Sequence, residues 1–308
     1  MTRVFVDGRE GTTGLRICER LAGRGDVELI VLPDASRKDP AARREAIFAS
    51  DVTFLCLPDD AARESASLAE GSHAVVIDAS TAHRTEAGWE YGFPELGAGR
   101  VERIAASRRI AVPGCHASGF IALVQPLIAR GLLRRDAKLS CFSLTGYSGG
   151  GKRMIADYEA RGEALAAPRQ YALSQRHKHL KEMVAQTGIL TPPVFCPVVG
   201  AFYAGMEVTV PLFRSDLEGG AGEDEVKAVY SSLYDGKIVF FAEKCDEDGF
   251  LSSSAYAGKD VMEISVHGDG ERMLLVARYD NLGKGASGAA VECMNLALGL
   301  PPETGLAI

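Results

Sequence analysis

Through the first third of the chain, short apolar runs alternate with stretches whose apolar positions recur at helical spacing. Residues 4–6, 27–32, 52–57 and 73–78 are the runs. They are too short for helices and nearly continuous, as strands buried on both faces are. Residues 15–22, 41–49 and 61–69 carry the helical spacing. Strand and helix in turn predict a parallel, doubly wound sheet of Rossmann type. A further short strand at 110–112 leads through Pro113 and Gly114 into 120–128, apolar enough for a buried helix. Beyond it the pattern changes. Residues 138–145, 195–199, 207–213, 238–242, 261–267 and 272–279 read as strands with fewer helices between them, which predicts an antiparallel or mixed sheet in a second, α+β domain. Residues 218–224 read as an acidic, Gly-rich surface loop, 225–234 as a helix, and 287–298 as the closing helix. The expected division is a first domain of residues 1–114 with 281–308, and a second domain of residues 115–280.

Composition narrows the function classes. A net charge of −7 gives no pull toward nucleic acid or an anionic membrane surface. No apolar run is long enough to span a bilayer, and the chain starts directly on a strand. Seven cysteines are scattered without a C-x-x-C pair, which points to reduced thiols and a cytoplasmic protein rather than disulfides or a zinc site.

Four stretches carry candidate chemistry. Gly8-Arg9-Glu10-Gly11-Thr12-Thr13-Gly14 joins the first strand to the first helix, where backbone N–H groups cradle a dinucleotide pyrophosphate. The second strand ends at Asp34-Ala35-Ser36-Arg37-Lys38. Asp34 could take ribose hydroxyls, but Ser36, Arg37 and Lys38 together suit a 2′-phosphate better, so the expected cofactor is NADP. In Val112-Pro113-Gly114-Cys115-His116-Ala117-Ser118-Gly119, Cys115 falls at or just before a helix N-terminus, which favours the thiolate and hence a nucleophile. In Gln175-Arg176-His177-Lys178-His179-Leu180-Lys181-Glu182, a helical turn would put Glu182 beside His179, where it could orient that ring for acid–base work. A metal would need a further ligand from elsewhere, and no other His/Cys cluster is evident, so no metal is expected. The Gly-rich run 146–153, with Ser148 and Lys152, could wrap an anion or simply be a surface turn. No tyrosine has a lysine four residues on, which sets aside a short-chain dehydrogenase.

In family order, V-P-G-C-H-A-S-G at 112–119, Y-G-F-P-E-L at 91–96, I-D-A-S-T-A-H-R at 77–84, the loop at Ser148, H-K-H-L-K-E at 177–182 and D-N-L-G-K-G-A-S-G-A-A-V at 280–291 resemble the N-acetyl-γ-glutamyl-phosphate reductases, relatives of aspartate-semialdehyde dehydrogenase. The chain looks like the shorter subgroup of that family. It departs from the more familiar pattern in having His116-Ala117 where Tyr-Pro follows the cysteine, and Lys181 where a proline precedes the glutamate. The resemblance implies NADP-dependent reduction of N-acetyl-γ-glutamyl phosphate to the semialdehyde, in arginine biosynthesis, through a thioester on Cys115. It implies acid–base roles for His179, His177 and Glu182. It implies cofactor contacts from Gly8, Gly11, Thr12, Thr13, Gly14, Ser36, Arg37, Lys38, Cys56, Pro58, Asn281, Lys284 and Gly285. Substrate or phosphate contacts are expected from Ser80, Arg84, His116, Ser118, Ser148 and Lys152, and a homodimer or homotetramer is expected. The alternatives are a sister reductase acting on an aspartyl or aminoadipyl phosphate, and a non-catalytic NADP-binding sensor.

Overall fold

The computed structural model describes all 308 residues, which divide into two compact units. The first comprises residues 1–94, 98–114 and 286–307. Its elements in chain order are β1 (Thr2–Asp7), α1 (Thr12–Ala22), β2 (Val27–Ile30), α2 (Pro40–Ala49), β3 (Val52–Leu55), α3 (Asp59–Leu68), β4 (Val75–Asp78), β5 (Glu90–Tyr91), α4 (Arg100–Ala106) and β6 (Arg109–Ala111). The six strands form one parallel sheet in the order β2-β1-β3-β4-β6-β5. All four residues of β3 are buried, so both its faces pack, as the continuous apolar run implies. The expected strands and helices are all present. The sequence pattern does not resolve β5 or α4, and α1 starts at Thr12 rather than at residue 15.

The second unit comprises residues 95–97 and 115–285. It opens with α5 (Cys115–Ala129), followed by β7 (Ser140–Gly146), α6 (Gly151–Arg161), β8 (Arg169–Gln170), α7 (His179–Thr187), β9 (Val194–Gly200), β10 (Met206–Phe213), α8 (Glu223–Leu233), β11 (Val239–Phe241), β12 (Met262–Gly268) and β13 (Arg272–Tyr279). Its seven strands run in the order β11-β12-β13-β10-β7-β9-β8. The β7–β9 and β11–β12 pairs are parallel and the others antiparallel, so the sheet is mixed. The last helix, α9 (Gly288–Ala297), belongs to the first unit, where Ala290, Val291 and Met294 join Val4, Val6 and Phe54 in one core. Residues 281–285 cluster with the second unit rather than with the nucleotide-binding one. No helix is long and apolar enough to cross a membrane.

The helix α5 is apolar on nearly every side and buried accordingly. Pro126 lies inside it and has no N–H to give the Ala122 carbonyl four residues back. The Tyr234 hydroxyl supplies the missing donor to that carbonyl at 2.7 Å, and the Tyr230 hydroxyl bonds the next one, at Leu123. A proline that would otherwise break the helix is thus accommodated by two buried tyrosines of α8 and the residue that follows it.

Candidate active site

The turn between β1 and α1 is built for close backbone approach. Gly8 has φ +85°, and a side chain there would overlap the Cys56 carbonyl. A methyl group on Gly14 would stand 2.6 Å from the Gly8 carbonyl oxygen. The first turn of α1, with Thr12 and Thr13, follows Gly11, which offers no side-chain cap. The Thr12 hydroxyl is buried with no hydrogen-bond partner. A cleft beside this turn is lined by Gly8, Arg9, Glu10, Arg37, Lys38 and Leu57. Uncapped amides, an orphaned buried hydroxyl and cations at the far end fit a dinucleotide, with its pyrophosphate at the helix start and its ribose near Arg37. Asp34 is exposed and within 3.8 Å of Arg9. Ser36 turns back, its hydroxyl 3.3 Å from the Pro33 carbonyl. Cys56 bonds the Asp7 carbonyl through its N–H, and burial raises its thiol pKa, so it stays a thiol. Pro58 opens α3.

In the second unit, Cys115 is the first residue of α5, at the helix start that the Pro113-Gly114 turn implies. Tyr279 enters the first turn of that helix. Its hydroxyl donates to the Cys115 carbonyl at 2.6 Å and accepts from the Gly119 N–H at 3.0 Å, bridging the i to i+4 pair. Gly119 is required there, since a side chain would stand 2.7 Å from both that hydroxyl and Val208. Gly285 lies against the nucleophile, where an added methyl would stand 3.1 Å from the Cys115 β-carbon.

A cluster of rings surrounds His116. Its ring centroid is 5.7 Å from that of His177, 5.6 Å from His179 and 5.4 Å from Phe195. His177 and His179 are 4.7 Å apart and nearly perpendicular. α7 begins at His179, so Glu182 is one helical turn on, and both side chains are buried. His177 precedes the helix. Its Nδ1 accepts the His179 backbone N–H at 3.3 Å, which leaves the proton of the neutral ring on Nε2. Burial, with the Lys178 charge adding to it, lowers the His177 pKa to about 4. Burial, with His177 adding, lowers His116 to about 3.

These shifts make stability depend on pH. Free imidazole titrates near 6.5, so below that pH the unfolded chain takes up protons that the folded chain refuses. The contribution is complete above about pH 6.5 and is lost as pH falls toward 4. Urea denaturation should therefore give a lower unfolding free energy at about pH 5 than at about pH 7.5. His116→Gln should show a smaller drop; an equal drop would mean that His116 is not its source.

Several expected ligand contacts are already engaged within the fold. Both ring nitrogens of His116 are taken, Nδ1 at 2.7 Å from the Ser143 hydroxyl and Nε2 at 2.6 Å from the Tyr171 hydroxyl. Arg84 binds the carbonyls of Val112 and Ala79, and Ser80 binds Asp78. Both therefore brace the strand ends of the first unit. The Asn281 amide holds the Gly205 N–H and the Ser148 hydroxyl, and Lys284 forms a buried ion pair with Glu95 at 2.8 Å. Asn281 and Lys284 thus organise the Ser148 loop and the 95–97 segment. Ser118 is buried in α5, and Lys152 is exposed on the first turn of α6. Sequence reasoning did not single out Ser143, Tyr171 or Phe195, and none lies in a motif. All seven cysteines are free thiols.

A parallel sheet with a glycine-turn cleft, and a mixed sheet carrying a cysteine at a helix start among histidines, define a two-part dehydrogenase architecture. The chain belongs to the semialdehyde dehydrogenase family: residues 3–104 match its NAD binding domain and residues 115–281 its dimerisation domain. Among curated relatives, N-acetyl-gamma-glutamyl-phosphate reductase 2 of Nostoc sp. is 43% identical over 99% of both chains. N-acetyl-gamma-glutamyl-phosphate reductase of Brucella ovis is 46% identical over 96% of this chain and 99% of its own. Aspartate semialdehyde dehydrogenase II of Vibrio cholerae, complexed with ASA, superposes with a TM-score of 0.74 at 16% identity, covering 97% of this chain and 98% of that one. The Candida albicans aspartate semialdehyde dehydrogenase with NADP gives 0.64 at 14% identity, covering 96% and 98%. At these identities the solved structures establish the fold, a Rossmann-type domain with an α+β partner.

Proposed function

We propose that this chain reduces N-acetyl-γ-glutamyl phosphate to N-acetyl-glutamate semialdehyde, with NADPH as reductant and release of inorganic phosphate, as a step of arginine biosynthesis. The observation that carries this reading is the identity of 43% and 46%, over nearly the whole chain, to relatives of that name. The position of Cys115 on α5 supplies the chemistry. The Cys115 thiolate attacks the acyl carbon, the bond from carbon to the phosphate oxygen breaks, and a thioester forms. Bound NADPH supplies the hydride that reduces this thioester. The resulting tetrahedral oxyanion collapses, expelling the Cys115 thiolate and releasing the aldehyde. Backbone N–H groups in the first turn of α5, that of His116 among them, face the charge as it develops. His179, oriented by Glu182, takes the thiol proton and returns it, while the neutral His177 offers Nε2–H to an anionic substrate group. Ser118, Ser148 and Lys152 are proposed substrate or phosphate contacts, and Gly285 leaves space beside the sulfur.

The preference for NADP over NAD rests on Arg37 and Lys38, which line the cleft while Asp34 leans toward Arg9. Arg37→Asp should shift the ratio of kcat/KM for NADP over NAD toward NAD by at least about tenfold, since a carboxylate would then face the 2′-phosphate. An unchanged ratio would leave Ser36 or Lys38 as the reader of the ribose. The function itself is tested by NADP reduction with N-acetyl-glutamate semialdehyde. Turnover should require phosphate or arsenate. Turnover confined to aspartate semialdehyde would favour the sister reductase, and no turnover on any semialdehyde would overturn the reading.

A further inference from the structure

His116 sits immediately after the nucleophile, yet both its ring nitrogens are spent inside the protein. The ring is 3% exposed, Ser143 is fully buried, and His116 is the one side chain to which the Ser143 hydroxyl is bonded. Ser143 lies on β7, whereas Tyr171 follows the short strand β8 and is tied to β9 through the Pro197 carbonyl at 3.0 Å. Two neighbouring strands of the mixed sheet, β7 and β9, therefore hold the two ends of one hydrogen-bonded line, and the residue after Cys115 lies at its middle.

We propose that His116 is a positioning residue, through which the line Ser143–His116–Tyr171 fixes the Tyr171 hydroxyl as a hydrogen-bond donor toward the Cys115 sulfur and the acyl oxygen formed on it. A neutral imidazole has one N–H and one lone pair. If Ser143 donates to Nδ1, the ring proton is on Nε2 and is given to the Tyr171 oxygen. The hydrogen of the phenol is then left for a partner outside the line. If the line ran the other way, the phenol would spend its hydrogen on His116 and present only lone pairs to a thiolate. Burial keeps the ring neutral, with His177 and His179 the titratable rings packed against it. Burial also raises the Tyr171 pKa, and the Cys115 charge raises it further, so the phenol stays protonated; its oxygen lies 2.6 Å from the ring of the residue that follows Cys115. A chain with tyrosine at position 116 could not bridge the two hydroxyls in this way.

The kinetic form of this inference rests on the proposed reaction, so its test includes a readout that needs no acyl substrate. His116→Phe keeps a ring and removes both bonds. It should lower kcat by about 10–100-fold with little change in KM for the semialdehyde. It should also raise by about one unit the pH midpoint for alkylation of Cys115 by iodoacetamide, followed on the Cys115 peptide. Tyr171→Phe should do the same, and the double variant should be no worse than Tyr171→Phe alone, because His116 acts through that phenol. His116→Gln, which places an amide near the phenol, should recover part of the loss. If His116→Phe fails to fold, Tyr171→Phe and Ser143→Ala carry the same expectation. Wild-type kcat and alkylation profile in His116→Phe, or in both of those replacements, overturns the proposal. So do losses that multiply in the double variant. Wild-type protein that alkylates as expected but turns over no semialdehyde would contradict the assigned substrate and leave the positioning role standing.

Discussion

Replacing Cys115 by serine should give a protein that binds NADP with nearly unchanged affinity and turns over several orders of magnitude more slowly. A serine alkoxide is far harder to form at neutral pH than a thiolate, and the thioester route has no substitute nucleophile. The effect should be confined to chemistry because the side chains are nearly isosteric. Moreover, Tyr279 grips the Cys115 carbonyl and the Gly119 N–H, backbone groups that the substitution leaves in place. The glycine-turn cleft is built entirely from residues of the first unit, so cofactor titration reads a part of the chain that the change does not touch. Retention of more than about a tenth of wild-type kcat would rule out covalent catalysis by this residue.

The second large effect is expected at His179. Asparagine there should lower kcat by about 10²–10⁴-fold, the usual loss for an oriented acid–base group. His177→Asn should act mainly on KM. The structural basis is the boundary of α7: it starts at His179, Glu182 follows one turn later, and both are buried. His177 lies before the helix and is tied to it through Nδ1, which leaves Nε2–H for a ligand. Glu182→Gln should reproduce His179→Asn in weaker form. If His177→Asn instead carries the rate loss and Glu182→Gln is silent, the two histidines exchange roles.

The sheets were legible in the chain because strands buried on both faces must be apolar throughout, while helices that cover them must be apolar every third or fourth residue. That contrast locates β1 to β4, whereas β7, β9 and β10 of the second unit bury alternate residues and stand out as apolar runs with few helices between them. It cannot locate β5 or β8, which are two residues long. It also misses α6, which begins at the last glycine of a Gly-Gly-Gly run that locally reads as a turn. The nucleophile was legible because Pro-Gly before an apolar run marks a helix start. Its supporting residues were not. Ser143 and Tyr171 reach His116 across sequence separations of 27 and 55 residues, set by strand pairing rather than by spacing. Asn281 and Lys284 show the converse. Their motif draws attention, but the partners that use them, Ser148 and Glu95, are 133 and 189 residues away and emerge only in the fold.

The central claim is a thioester on Cys115, and trapping it is the most direct measurement. Enzyme mixed rapidly with NADP and N-acetyl-glutamate semialdehyde, with phosphate left out, can form the acyl-enzyme but has no phosphate to release it. The account predicts a burst of one NADPH per active site, and an acyl group found by peptide mass spectrometry on the segment containing Cys115 and on none of the other six cysteines. No burst, or an acyl group on a different residue, would contradict it.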